Sequence, residues 1–191
     1  MIKKITFCIF SWCLLLAFAC PAFAQTNKGT EFYTAYMANI RGTVVTNAGP
    51  CQMSLYLTSD VSTTGSVSVA DGSYSQGFSV TANQVTVVDI PQTAFLGTEG
   101  QFLKGIHITA AAPIVVYAHI YASAVSGATL LLPVNTLAKD YYSINYTQRS
   151  NESSCYSSFA VVATEDTTTV EITPSVTLNS GHAANTPFII T

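Results

Sequence analysis

Charge is scarce in this chain. Seven Lys and Arg, ten Asp and Glu and three His are spread over 191 residues, and no basic run exists that could neutralise a phosphate backbone or an anionic lipid surface. Nucleic acid is therefore not an expected partner. Tryptophan occurs once, at Trp12, so beyond the first two dozen residues any aromatic platform for a ligand has to be built from tyrosine or phenylalanine. No later apolar run is long enough to cross a bilayer as a helix, and membrane insertion of the mature chain is not expected. Motifs that carry chemistry are missing as well: there is no H-E-x-x-H, C-x-x-C, G-x-S-x-G or phosphate-binding glycine loop. No enzyme, cofactor or metal is expected on these grounds.

The first 24 residues have the layout of an export signal. Lys3 and Lys4 form a basic start, Ile5 to Ala19 is an apolar stretch too short to span a membrane, and Ala22-Phe23-Ala24 is a small-x-small cleavage site. Cleavage after Ala24 leaves Gln25 at the mature N-terminus; lipidation at Cys20 is the alternative, but Ala17 and Phe18 suit it poorly. Removing Lys3 and Lys4 leaves five basic residues against ten acidic ones, a net charge of −5. The expected location is secreted or on the cell surface.

Cys8, Cys13 and Cys20 leave with the signal, and Cys51 and Cys155 remain. Two cysteines in an exported chain are candidates for one disulfide, with two separate thiols as the alternative.

What the mature chain has in abundance is Val, Ile, Thr and Tyr in short runs. "FYTAYMANI", "MSLYLTSD", "GSVSVA", "GFSVT", "QVTVVDI", "GIHIT", "PIVVYAHIY", "ATLLLPV", "YYSINYT", "SFAVVAT", "TTVEIT" and "PFIIT" are separated by turn formers at roughly 8 to 12 residues, the pattern of an all-β antiparallel sandwich or jelly roll. The one helical turn expected is "NTLAKD", with Asn135 as its cap.

Two stretches are similar in order. "LYLTSDVSTTGSVSV" with "GFSVT" is followed about 105 residues later by "VVATEDTTTVEIT" with "PFIIT": Asp60 to Asp166 is 106, Val67 to Val170 is 103 and Phe78 to Phe188 is 110. This spacing predicts tandem β modules, residues 25–148 and 149–191, with a polar boundary at "TQRSNESS". The second module then lacks counterparts of everything after Thr81, so the chain reads as part of a longer protein with further domains.

Glu165 and Asp166 are the one adjacent acidic pair. Neighbouring strand residues point to opposite faces, so the two carboxylates could share a site only in a turn, where water solvates them. The pattern predicts a hairpin turn between Phe159–Ala163 and Thr168–Ile172, in which Asp166 bonds its own backbone. A metal or acid–base role is not expected.

The histidines sort by the same alternation. A hairpin turning at Ala111-Ala112 would place His107 with Ile114, Val116 and Ala118, and His119 on the other face with Tyr117, Tyr121, Ile106 and Ile108. They could not then share a metal, and His182 in "NSGHAANTP" has no partner near it in sequence. Tyr117, His119 and Tyr121 form the one candidate ligand surface, because aromatic rings along a strand can stack on sugars or anchor a protein partner. Packing against a second sheet is the alternative reading of the same three residues.

The blocks "GTEFYTAYMAN", "KGIHITAAAPIVVYAHIY", "LLLPVNTLAKDYYSINY" and "FAVVATEDTTTVEITP", in this order, resemble the IgGFc-binding protein N-terminal domain family. The resemblance runs from Gly29 to about Thr191. It implies a non-enzymatic extracellular β module, of the kind found in exported bacterial surface proteins, that binds or adheres to a protein or glycoprotein. A structural spacer presenting other domains and a glycan-binding module are the alternatives. Antibody Fc is implied by the family's name but by no residue motif in this chain.

Overall fold

The computed structural model describes residues 26–37, 51–122, 125–146 and 157–191. The expected signal segment, Cys155 and the boundary "TQRSNESS" lie outside these residues. Strands dominate, as the alternation predicts, and the chain is all-β with a large antiparallel sheet bent nearly into a barrel.

The elements run β1 (Gly29–Thr34), β2 (Tyr36–Met37), β3 (Gln52–Thr58), β4 (Thr63–Val69), β5 (Ser75–Val80), β6 (Val85–Ile90), β7 (Phe95–Leu96), β8 (Ile106–Ala122), β9 (Val125–Leu130), β10 (Val170–Ile172) and β11 (Phe188–Ile190). Single 3-10 turns fall at Gln92–Ala94 and Val134–Thr136.

The spine is β8. Its 17 residues run through the place where the alternation predicts a turn at Ala111-Ala112, and the expected hairpin does not form. Alanine carries no turn preference, and each half of β8 finds partners in other strands: Ile106–Ala110 pair with β1 and β4, and Val115–Tyr121 pair with β3. One long strand thus belongs to two half-sheets, β5-β4-β8-β1 and β6-β3-β8-β9. Between Gly29 and Glu31 the register of β1 on β8 shifts, as expected of an irregularity where a sheet bends.

The inner faces of the two halves meet in one core. Phe32, Val67, Val69, Phe78, Val80, Ile106 and Ile108 come from the first half, and Met53, Leu55, Leu57, Val88, Ile90, Ile114, Val116 and Ala118 chiefly from the second. Period-two alternation delivers these side chains inward and their neighbours outward. Gly65 sits where the sheet is tightest: a Cβ there would strike the carbonyl oxygen of Thr109 and the ring of Phe78, so the residue has to lack one. A separate two-stranded sheet, β2 parallel to β7 at Tyr36↔Phe95 and Met37↔Leu96, is joined to the large one by the Tyr36 hydroxyl, which donates to the Ser54 carbonyl at 2.8 Å.

The C-terminal part departs from expectation. Residues 141–146 and 157–164 form no strand, although both alternate as strands do. β10 pairs antiparallel with β11 and not with Phe159–Ala163, so the predicted hairpin around Glu165 and Asp166 is replaced by a pairing with a more distant segment. A turn does form there: Thr167 takes φ 59° and the Thr168 hydroxyl donates to the Glu165 carbonyl at 2.7 Å. Asn135 lies inside its 3-10 turn and does not cap it; Pro133 occupies the preceding position, where no side chain bonds the turn.

Candidate functional site

Because Val116 and Ala118 point inward, Tyr117, His119 and Tyr121 point outward. Register then sets them in rows across β6, β3, β8 and β9. The first row is Val87, Tyr56, Tyr117 and Leu130; the second is Asp89, Ser54, His119 and Ala128; the third is Gln52, Tyr121 and Ser126. The three residues singled out in the sequence therefore share one surface, with Tyr117 44% and Tyr121 42% exposed. Ile106 and Ile108 do not join them, since both are fully buried on the inner face.

Tyr56 completes the group. Its ring meets His119 edge-on at 5.8 Å, and His119 lies 6.3 Å from Tyr121 at 25° between ring planes. The His119 ring is fixed from the other side by Nε2 against the Ser126 hydroxyl at 2.8 Å. Alternation between buried Leu55 and Leu57 could have flagged Tyr56 as outward-facing, but nothing local to "MSLYLTSD" shows that it stands opposite Tyr117.

The surface is apolar with a polar rim. Its one carboxylate, Asp89, accepts from the Ser54 hydroxyl at 2.7 Å, and Val85 and Val87 extend the apolar area beyond the tyrosines. Such a face suits a neutral or amphipathic ligand, with rings for stacking and hydroxyl and amide groups for orientation.

The outer face of the other half-sheet differs. It presents Ser66, Ser68, Ser75 and Thr109, with Ser66 and Thr109 hydrogen-bonded at 3.0 Å. His107 stands there, stacked on Tyr33 at 4.4 Å and bonded through Nε2 to Glu31 Oε1 at 2.9 Å. Burial foremost, together with the Glu31 charge, raises the Tyr33 hydroxyl above its usual pKa.

The histidine assignment made from the sequence is thereby corrected. His107 does not share a face with Ile114, Val116 and Ala118. Both His107 and His119 face outward, because β8 never turns and an even spacing keeps them in phase. Twelve residues of strand, roughly 40 Å of contour length at 3.3 Å per residue, lie between the two along β8. His182 has a ring partner the sequence did not suggest: it stacks on Phe188 at 3.6 Å, with 5° between planes.

Among the described residues no group of three or more His, Cys, Asp or Glu could hold a metal ion. Glu165 and Asp166 are both exposed. An open groove at the bend of the barrel is lined by Ser62, Thr63, Thr64, Ser79, Thr81 and Ala112 among others, with no ionisable side chain. No helix among the described residues is long and apolar enough to cross a membrane. Cys51 is buried.

Compared with known proteins, residues 127–191 match the family model described as IgGFc binding protein. The match takes in most of β9, the segment Tyr141–Tyr146 and the β10–β11 pair, about the last third of the chain. The similar blocks at Gly29–Asn39 and Lys104–Tyr121 lie outside it. No curated protein and no solved structure matches the chain.

Proposed function

We propose that this chain, similar over residues 127–191 to the IgGFc binding protein family, is a non-enzymatic extracellular module that binds or adheres to a protein or glycoprotein. Its contact surface is the outer face of β6-β3-β8-β9. The observation that carries the reading is the contrast between the two outer faces of one barrel. One carries a ladder of hydroxyl groups beside the Tyr33–His107 stack, whose imidazole is bonded to Glu31; the other exposes Tyr56, Tyr117, Tyr121, Val85 and Val87 together. Single exposed apolar residues are ordinary, whereas a contiguous group rimmed by polar side chains marks an interaction surface. Tyrosine suits that use because it brings a large rigid area with a hydroxyl at its tip and loses few rotamers on binding.

Export through the segment ending at Ala24, a second module after residue 148 and further domains downstream belong to the same proposal. They are supported by the leader layout, by the similarity of the two segments and by the extracellular character that the family name implies.

Surface plasmon resonance over immobilised mucin, fibronectin and immunoglobulin Fc tests the proposal. Binding to at least one, weakened tenfold or more in Tyr117→Ala and Tyr121→Ala but unchanged in Glu165→Gln, is expected. Hot-spot tyrosines cost roughly 2 kcal/mol or more on truncation, and tenfold corresponds to about 1.4 kcal/mol. Absence of binding to all three, and to a glycan array, would favour the spacer. Binding to free glycans alone would favour the glycan-binding reading.

A further inference from the structure

Among the described residues, one segment without a strand partner and one strand paired along a single side fit one another. The first is the segment Tyr141–Tyr146, "YYSINY". All six residues are exposed, with Tyr142 at 98%, Ile144 at 77% and Tyr146 at 78%. These three alternate with Tyr141, Ser143 and Asn145, and the Ser143 hydroxyl bonds Asn145 Oδ1 at 2.8 Å across the strand-like i, i+2 spacing. The segment thus has a strand's alternation without a strand partner among the described residues.

The second is β9, Val125–Leu130. It pairs with β8 along one side, and among the described residues no strand pairs with its other side. Natural edge strands are guarded by lysine, proline, a bulge or an inward-pointing charge. The sequence Val-Ser-Gly-Ala-Thr-Leu carries no charge and no proline. Glu31 lies on β1 and Asp89 on β6, and the equally uncharged edge strand β5 is met by β6, where the Thr86 hydroxyl donates to the Ser79 carbonyl at 2.8 Å. Donor and acceptor are the same length, six residues each.

The segment's own chain is directed elsewhere. After β9, Leu131 still bonds Val116 through its backbone at 2.9 Å. Pro133 is then buried against Gly29 at the start of β1, close enough that a Cβ on that glycine would overlap it. The 3-10 turn at Val134–Thr136 follows immediately. The chain is therefore anchored at β1 before Tyr141 begins.

We propose that Tyr141–Tyr146 of one copy adds as a strand to the free edge of β9 in a second copy. Main-chain hydrogen bonds supply the pairing, and Tyr142, Ile144 and Tyr146 lose their exposure against the partner's sheet. Exchange in both directions closes a two-fold dimer, whereas one-way exchange gives open chains. The proposal does not depend on which extracellular ligand the tyrosine face takes.

Sedimentation velocity on the intact chain tests it, over concentrations of roughly 1 to 100 µM, a range suited to small interfaces. The expected result is a concentration-dependent species of twice the monomer mass. Ser143→Pro removes a strand N–H from the donor, and Ala128→Lys guards the acceptor edge; each alone should remain monomeric, with unchanged far-ultraviolet circular dichroism. Mixed in equal amounts they should associate again, because one variant keeps an intact edge and the other an intact strand. A monomer at every concentration overturns the proposal. So does a dimer that survives both substitutions, or a monomer whose Tyr141–Tyr146 amides resist hydrogen exchange, which would mean that the strand closes on its own chain.

Discussion

Replacing Tyr36 by phenylalanine removes one hydroxyl from the point where the small β2–β7 sheet meets β3 of the large one. Tyr36 is 4% exposed, sits in β2 against β7, and donates to the carbonyl of Ser54 on β3 at 2.8 Å. A typical intramolecular hydrogen bond contributes about 1 kcal/mol net. Ser54 lies between β6 and β8, whose ladders also engage β3, so its carbonyl is not left alone in an apolar site, and the cost should stay near 1 kcal/mol. With a urea m-value of about 2 kcal/mol/M the midpoint falls by about 0.5 M. Tyr36→Ala removes the ring as well and should cost about 3 to 5 kcal/mol, the range for buried aromatics.

The same hydroxyl supplies a pH signature. Burial, foremost, holds its pKa well above the ordinary tyrosine value near 10. The folded state therefore keeps the proton that the unfolded state releases. The stability this contributes is fully present below pH 10 and is lost as pH rises from there towards the folded-state pKa, at up to about 1.4 kcal/mol per pH unit. Tyr33 and Tyr74 are raised in the same direction, so the diagnostic quantity is the difference between the native chain and Tyr36→Phe. Urea denaturation from pH 8 to 11 should show the native chain losing its advantage above pH 10 while the variant declines less. Equal midpoints at pH 8 and parallel decline above pH 10 would refute the argument that this buried hydroxyl ties the small sheet to β3.

Glu165→Gln should change stability by no more than about 0.5 kcal/mol, as for ordinary surface positions; a larger loss in thermal unfolding would mean that the carboxylate has a partner. Limited proteolysis should cut first within Phe159–Ala163, which is strandless and largely exposed, and leave β1 to β9 intact; equal resistance throughout would count against separate modules. If Cys51 and Cys155 pair, the crosslink closes a loop of 103 intervening residues, to which the chain-entropy model assigns about 4 to 5 kcal/mol. Peptide mapping without reduction should then recover them joined, and two alkylated thiols would exclude the pairing.

The period-two pattern by itself determined that the chain is all-β. Val, Ile, Thr and Tyr alternating between turn formers leave little other way to bury apolar surface, and Leu55, Leu57, Val67, Val88 and Val116 are inside for that reason. The outward aim of Tyr117, His119 and Tyr121 was equally local, since strand neighbours alternate whatever pairs with them. Only the tertiary structure decided the rest. Whether Ala111-Ala112 turned or ran straight depended on β1, β4 and β3 being present to pair with both halves of β8, and alanine does not disclose that choice. From it followed the phase of His107, the placing of Tyr56 beside Tyr117, and the difference between the two outer faces. The pairing of β10 with β11 rather than with Phe159–Ala163 was invisible for the same reason: several segments offer equivalent alternating edges, and the choice among them is made by long-range register, which neighbouring residues do not encode.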